Sequence, residues 1–275
     1  MVFCKTPNEQ VEHFENVEYR PLKDIYNVIS YYHIDHCIIS RFSEYIPLTI
    51  NSNVENIYFI MHDLGPAGNI IVPHQKLKKI YCLTEWHKNF FLESFPQYKY
   101  LTDVCNYGID HKLFNKYKNN TFNKIPNSFI YSSYPNRGLI HLLKYWKKIR
   151  EKIPDATLNI YSDVHNKWSN DNYPDMMKEI KASLEELQKD NCGINYHGWV
   201  DKDTLVKGWS TAKYWVYPCI FTETYCLTAM EAAMSRTLAI TNNLGALQNT
   251  VSDRGVMLPN EMLQQEPEKF IDNVI

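Results

Sequence analysis

The chain has 275 residues, a length that suggests two α/β lobes of unequal size with one large domain as the alternative, and its 44% hydrophobic and 22% charged residues exclude a disordered profile. Its 29 basic and 31 acidic side chains leave a formal net charge of −2, and no lysine or arginine block is long enough to follow a nucleic-acid backbone, so no nucleic-acid partner is expected. No run approaches the ~18 apolar residues of a membrane span, and the start, MVFCKTPNEQVEHF, lacks a basic segment followed by an apolar stretch, so a cytoplasmic protein without a transmembrane segment is expected.

In chain order, HCIIS at 36–40, IYFIMHD at 57–63 and KIYCLT at 79–84 are short apolar runs that read as buried parallel strands. EWHKNFFLESF at 85–95 then reads as a helix with Trp86, Phe90 and Phe91 on one face. Residues 116–127, within NKYKNNTFNKIPN, are polar and turn-rich, and they separate a first lobe, 1–115, from a second, 128–275. The second lobe opens on SFIYSS at 128–133, turns through Tyr-Pro-Asn, and enters a helix from 137 to about 152. The same strand-then-helix unit recurs: strands at 156–162, 194–200, 213–218 and 237–241 alternate with helices at 175–190, 201–211 and 225–234, the second capped by Asp201 or Asp203. At least five strands alternating with helices imply a parallel sheet covered on both faces, with ligands at the carboxyl ends of the strands.

The seven cysteines are scattered without a Cys-x-x-Cys pair, which fits reduced core residues, and no His, Asp or Cys cluster has metal-ligand spacing. The segment PCIFTETYCLTAMEAAM at 218–234 is the most informative. Glu223 precedes a helix and Glu231 lies within it, a little over two turns later, so both carboxylates can face one cleft. Spacing alone is also that of an ordinary exposed helix. Glu231, however, stands among Ala229, Met230, Ala232, Ala233 and Met234, where an ionised carboxylate needs a partner such as ribose hydroxyls. The amides of Tyr225, Cys226 and Leu227 would open this helix and favour a phosphate.

This stretch resembles the Glu-x7-Glu motif of retaining glycosyltransferases of GT-B fold, in the large family four, the group 1 type. INYHGWVDKDTL at 194–205 resembles that family's His-Gly-x-Val segment, SSYPNRGL with the helix after it resembles the phosphate-binding strand-turn-helix unit, and CNYGIDHKLF at 105–114 resembles its Asn-Gly-Ile-Asp signature at the lobe boundary. The resemblance implies two Rossmann-like lobes, 1–115 on the acceptor side and 128–275 binding the nucleotide-sugar, a nucleotide-sugar donor as co-substrate with no other cofactor and no metal, and a hydroxyl acceptor that is a carbohydrate or is linked to lipid or protein. It places Glu231 on the ribose, Glu223 near the donor sugar, Arg137 on the pyrophosphate, and His62, in FIMHD, facing the sugar from the first lobe. Base selection is expected around Tyr161 and Val200.

The pattern departs from the family in four places. The family's amino-terminal glycine-rich loop has no counterpart in a chain with 9 glycines. The start and the end, EPEKFIDNVI, lead us to expect a shortened first lobe and a shortened carboxyl end, and a homo-oligomer that covers the exposed apolar surface. IYSSYPN offers hydroxyls and an amide where many relatives carry a second basic residue. In NNLGALQNTV the glutamate common after Gly-Ala is replaced by Gln248 or Asn249. A relative that binds the nucleotide but has lost catalysis is therefore the alternative reading, whereas a dinucleotide-dependent enzyme lacks its Gly-x-Gly-x-x-Gly turn.

Overall fold

A computed structural model describes residues 1–66, 70, 73–118 and 123–275, and the chain divides into two compact units, Met1–Cys105 and Asn106–Ile275. Part of the expected linker, 119–122, lies outside the described residues. The division falls ten residues ahead of residue 115, because Phe114 is 1% exposed and packs into the core of the second unit.

The first unit begins with a small sheet, β1 (Val2–Cys4), β2 (Glu12–Phe14) and β3 (Val17–Pro21), in which β3 pairs parallel with β1 and antiparallel with β2. Helix α1 (Ile25–Tyr31) leads to β4 (Ile34–Ser40), α2 (Tyr45–Ile50), β5 (Val54–Ile60), β6 (Leu77–Cys82), α3 (Glu85–Ser94) and β7 (Thr102–Val104). Strands β4 to β7 form a parallel sheet in sequence order. The three apolar runs read from the sequence are its first three strands. Helix α3 starts where expected because the Thr84 side chain accepts from the His87 N–H. Its buried face is His87 and Phe91, four residues apart, and Phe90 instead lies outside at 37% exposure, stacked on Trp86.

The second unit contains helix α4 (His111–Asn115) and the strands β8 (Ser128–Tyr131), β9 (Thr157–Ile160), β10 (Ile194–Tyr196), β11 (Tyr214–Tyr217), β12 (Leu238–Asn242) and β13 (Gly255–Leu258). All pair in parallel, in the order β10-β9-β8-β11-β12-β13. Counted within the unit this is 3-2-1-4-5-6, the doubly wound order, and its direction reverses between β8 and β11. The connections are α5 (Leu139–Lys144) and α6 (Trp146–Lys152), α7 (Lys167–Asn172) and α8 (Pro174–Lys189), α9 (Lys202–Thr211), α10 (Leu227–Ser235) and α11 (Leu247–Thr250), with α12 (Asn260–Gln265) and α13 (Pro267–Asp272) at the end. The single helix expected from 137 to 152 is two, broken at Tyr145 (φ −104°, ψ 9°), beyond which Trp146 is fully buried and donates to the Cys192 carbonyl at 2.6 Å. Trp146, Trp209 and Trp215, all 0% exposed, anchor a core built from both faces of the sheet. Among the described residues no helix is long and apolar enough to cross a membrane.

Lys124 ties the chain ahead of β8 to this core. Its ammonium donates to the Trp209 carbonyl at 2.9 Å and to Thr237 Oγ1 at 3.0 Å, and burial lowers its pKa from 10.5 to about 8. A lysine held below its ordinary value disfavours the fold wherever it must be charged. Its stabilising contribution is therefore present above pH 10.5 and lost as the pH falls through about 8. Urea unfolding should show stability rising between pH 8 and 10, a rise that Lys124→Met abolishes; equal slopes in the two proteins would contradict this.

Candidate functional site

Strands β8 and β11 lie side by side, with Phe129 opposite Tyr214 and Ile130 opposite Trp215, so their carboxyl ends deliver residues 132–138 and 218–226 to the point where the strand order reverses. Gly138 permits their approach. At φ +129° it occupies a backbone region disfavoured for side-chain-bearing residues, and a Cβ there would stand 2.0 Å from the Pro218 carbonyl oxygen. The Ile220 N–H donates to the Arg137 carbonyl at 3.4 Å across the same contact.

Here Arg137 and Glu223 meet. The Arg137 guanidinium donates to Glu223 Oε1 at 3.1 Å, and the Tyr217 hydroxyl donates to the same oxygen at 2.9 Å. The guanidinium also lies 4.0 Å from the centre of the Phe221 ring and 5.5 Å from that of Tyr134. Glu223 is 5% exposed. Burial raises its pKa, and the Arg137 charge and the Tyr217 hydroxyl counter part of that rise. Burial works most strongly against the charge of Arg137, but Glu223 with smaller help from Tyr217, Cys226 and Tyr131 outweighs it, and the pKa is raised. One guanidinium N–H is committed to Glu223, and an arginine has four more to offer a second anion. Burial pushes the Cys219 thiol up to about 12 and raises that of Cys226, so both stay protonated at neutral pH and neither is an activated nucleophile.

The backbone of Glu223 is fixed from behind by the Gly-Ala turn. Its carbonyl accepts from the Ala246 N–H at 2.8 Å, and at Gly245 (φ +60°) a Cβ would come within 2.6 Å of that carbonyl oxygen. Gln248, one of the two candidates with Asn249 for the family's glutamate position, donates back to the Gly245 carbonyl at 3.3 Å. Asn242, fully buried, holds the same loop: it accepts from the Cys219 N–H, donates to the Cys219 carbonyl, both at 2.8 Å, and donates to Asn260 at 2.7 Å.

Helix α10 starts at Leu227, two residues later than expected, because Cys226 caps it in the left-handed region (φ 73°, ψ 83°). Tyr225 therefore precedes the helix, with its hydroxyl donating to the Tyr107 carbonyl at 2.8 Å, and Leu227 supplies the first of the amides that lack intrahelical acceptors. Glu231 is 6% exposed and pairs with Lys202 at the start of α9. The partner that the apolar neighbourhood required is thus a lysine of this chain. Asp201, rather than Asp203, caps α9, its side chain accepting from the Thr204 N–H at 2.9 Å, while Asp203 bonds Lys116 and Tyr117. Val200 is half-buried just ahead of the cap. Tyr161 is stacked on His197 at 4.3 Å, with ring planes 5° apart, and lies against Gly208, where a Cβ would approach the ring to 2.6 Å.

His62 belongs to the first unit, just after β5. Its Nε2 is 2.8 Å from Ser40 Oγ, and burial together with the Arg41 charge lowers its pKa, so the ring is neutral at pH 7. The buried His87 supports it: Nδ1 accepts from the Leu83 N–H at 3.2 Å, which puts the proton on Nε2, and Nε2 donates to the Asp63 carbonyl at 2.9 Å. Among the described residues one trio has ligand atoms close enough for a metal, His33, Asp35 and Glu55, all within 4.8 Å of one another. It is exposed in the first unit, and the contacts of His33 Nε2 with the Asp35 and Glu55 carboxylates at 3.2 and 3.4 Å account for it.

Sequence reasoning missed Lys202, Tyr217 and Asn242. Lys202 carried a signal, a cation in the first turn of a helix, where the dipole disfavours it unless an anion is near. Tyr217 and Asn242 read as strand residues, and only the strand order shows what they reach.

Comparison with known proteins agrees with the geometry. The structure is similar to a glycosyltransferase from Rickettsia africae ESF-5 (17% identity, TM-score 0.61), covering 92% of this chain and 70% of that one. It is similar also to a UDP-forming α,α-trehalose-phosphate synthase from Burkholderia xenovorans (9% identity, TM-score 0.68), over 96% of this chain and 81% of that one. A third likeness is to the pneumococcal O-GlcNAc transferase GtfA in complex with UDP and GlcNAc (14% identity, TM-score 0.65), over 96% of this chain and 54% of that one, so the chain spans about half that protein's length. At such identities the likeness is one of fold, here the GT-B fold. No curated protein matches the chain. The family model described as glycosyl transferases group 1 matches residues 128–275, more than half of the sequence, and the chain belongs to that family.

Proposed function

We infer that the chain transfers a sugar from a nucleotide-sugar donor to a hydroxyl acceptor, with retention of configuration and without a metal. The observation that carries this reading is the pair of buried glutamates, Glu223 with Arg137 and Glu231 with Lys202, at and beside the reversal of strand order. Cleavage of the sugar–phosphate bond develops positive charge on the sugar ring and negative charge on the diphosphate. In this reading the remaining N–H groups of Arg137 and the first amides of α10 take up the diphosphate charge. Glu231 receives the ribose hydroxyls in place of the Lys202 ammonium, and Glu223, held by Tyr217, faces the sugar. The fold family and the UDP bound to the similar O-GlcNAc transferase support a nucleotide donor.

Thermal-shift titration with uridine, guanosine and adenosine diphosphates and their hexose conjugates tests the donor site, since a ligand that binds only the folded state must raise the melting temperature. One base should stabilise the protein, and Glu231→Ala should lose at least nine-tenths of that shift. The absence of a shift with every nucleotide would overturn the reading.

A further inference from the structure

A cavity of about 240 Å³ in the second unit is walled in part by the loop that carries Glu223. Its apolar wall includes Cys219 and Ile220, from that loop, and the buried Leu263 of α12; its polar groups are His141 of α5 and Asn260 and Gln264 of α12. An apolar cavity of about 150 Å³ is enough to hold benzene, so this one has room for a six-membered ring with a short substituent.

The polar groups have hydrogen-bonding capacity to spare. The Cys219 N–H donates to Asn242 Oδ1, so Nδ2 of Asn242 is the atom turned to Asn260 Oδ1, at 2.7 Å, and the two N–H groups of Asn260 Nδ2 meet no acceptor among the described residues. Asn260 is held further by its backbone N–H, which donates to Asn243 at 2.7 Å. Neither ring nitrogen of His141 has a hydrogen-bond partner among the described residues, and burial lowers its pKa, so the neutral ring offers one donor and one acceptor. None of the described residues that line the cavity carries a charge. An apolar chamber with a few spare polar groups and no charge selects a neutral ligand, its ring against Cys219, Ile220 and Leu263 and its hydroxyl or amide for the imidazole and the Asn260 amide.

A ligand here also touches the support of the Arg137–Glu223 pair. The Cys219 N–H and carbonyl are both held by Asn242, the Ile220 N–H donates to the Arg137 carbonyl, and the His141 N–H donates to the Gly138 carbonyl at 3.1 Å. Packing against Cys219, Ile220 and His141 is therefore packing against the backbone that sets both loops.

We propose that this cavity is an effector site for a neutral single-ring alcohol or amide, which when bound braces the loop that carries Glu223. The site rests on the cavity and its spare hydrogen-bonding groups; only its consequence for sugar transfer rests on the transferase reading. Saturation-transfer NMR on the full chain with p-cresol, benzyl alcohol and benzamide, set against toluene and benzoate, tests the site, and hydrogen exchange read by mass spectrometry over residues 218–226 tests the bracing. At least one of the three neutral polar probes should bind with a millimolar or lower dissociation constant, at least fivefold tighter than toluene and benzoate. Binding should fall at least fivefold in Gln264→Trp, whose indole closes the cavity from an exposed position, and in His141→Phe, which keeps a ring and removes both nitrogens. The bound probe should slow exchange of 218–226 at least twofold in the wild type and leave it unchanged in Gln264→Trp. Binding of none of the three, equal binding of toluene or benzoate, binding unchanged in either folded variant, or exchange unchanged by the bound probe overturns the proposal. Should no nucleotide shift the melting temperature of the wild type while the probe and exchange results follow the expectation, the donor reading falls and the effector site stands.

Discussion

Gly138→Ala is expected to lower the melting temperature by roughly 6–12 °C, the equivalent of about 3 kcal/mol in a chain of this size, and to abolish nucleotide binding with it. The added Cβ would lie 2.0 Å from the Pro218 carbonyl oxygen and 2.9 Å from its carbon, both backbone atoms, at a φ of +129°. Neither a rotamer change nor a small shift of a flexible side chain relieves that overlap, so the two loops must part. They carry Arg137 and Glu223, and the loss of stability and of the site are one event. Gly108→Ala is the control: nothing lies within 4 Å of its would-be Cβ, and its melting temperature should stay that of the wild type. Differential scanning calorimetry of the two variants decides; a Gly138→Ala protein as stable as Gly108→Ala contradicts the packing described.

Arg137→Ala should cost about 2–3 kcal/mol at pH 7, somewhat below the 3–5 typical of a broken buried ion pair, because the arginine side chain is 28% exposed while that of Glu223 is 6%. It should also slow transfer by about 10²–10³. The pH dependence identifies the cause. Glu223 already has a raised pKa, so its contribution to stability is fully present below its unfolded value of about 4.5 and is lost as the pH rises through its folded value. Removing the guanidinium raises that folded value further, so the deficit should be largest at neutral pH and shrink toward pH 4.5. Adding Glu223→Gln should recover most of the stability and none of the transfer, since glutamine still accepts from Tyr217 without a charge to neutralise. Urea unfolding of the single and double variants at pH 7 and 5 measures this; a pH-independent deficit, or no recovery in the double variant, would show that the pair is not what the arginine serves.

Much of this was legible in the sequence. The strands of the second unit announce themselves as short apolar runs between helices, and the buried state of Glu231 follows from its alanine and methionine neighbours. Strand order did not follow, and with it went the pairing of Arg137 with Glu223, two residues 86 positions apart that adjacency of β8 and β11 brings to 3.1 Å. The three-residue strands β1, β2 and β7 are too short for alternation to register, and β13 opens on a glycine whose partner strand decides its conformation. The break at Tyr145 has no helix breaker to mark it, since Leu139 to Lys152 keeps helical spacing throughout. The late start of α10 depends on a cysteine in the left-handed region, which sequence favours only for glycine and asparagine. Lys202 stood in plain view beside Asp201, and only the approach of α9 to α10 shows that it answers Glu231.

The most direct test of the transferase reading is to incubate the full chain with the nucleotide hexose that gives the largest thermal shift and to follow the anomeric protons of the released or transferred sugar by NMR. The account predicts slow turnover in which the first sugar to appear has the donor's own anomeric configuration, with the signal lost in Arg137→Ala. Inverted sugar, or firm nucleotide binding with no turnover for any acceptor offered, would contradict it, the latter leaving a chain that keeps the family's donor site without its chemistry.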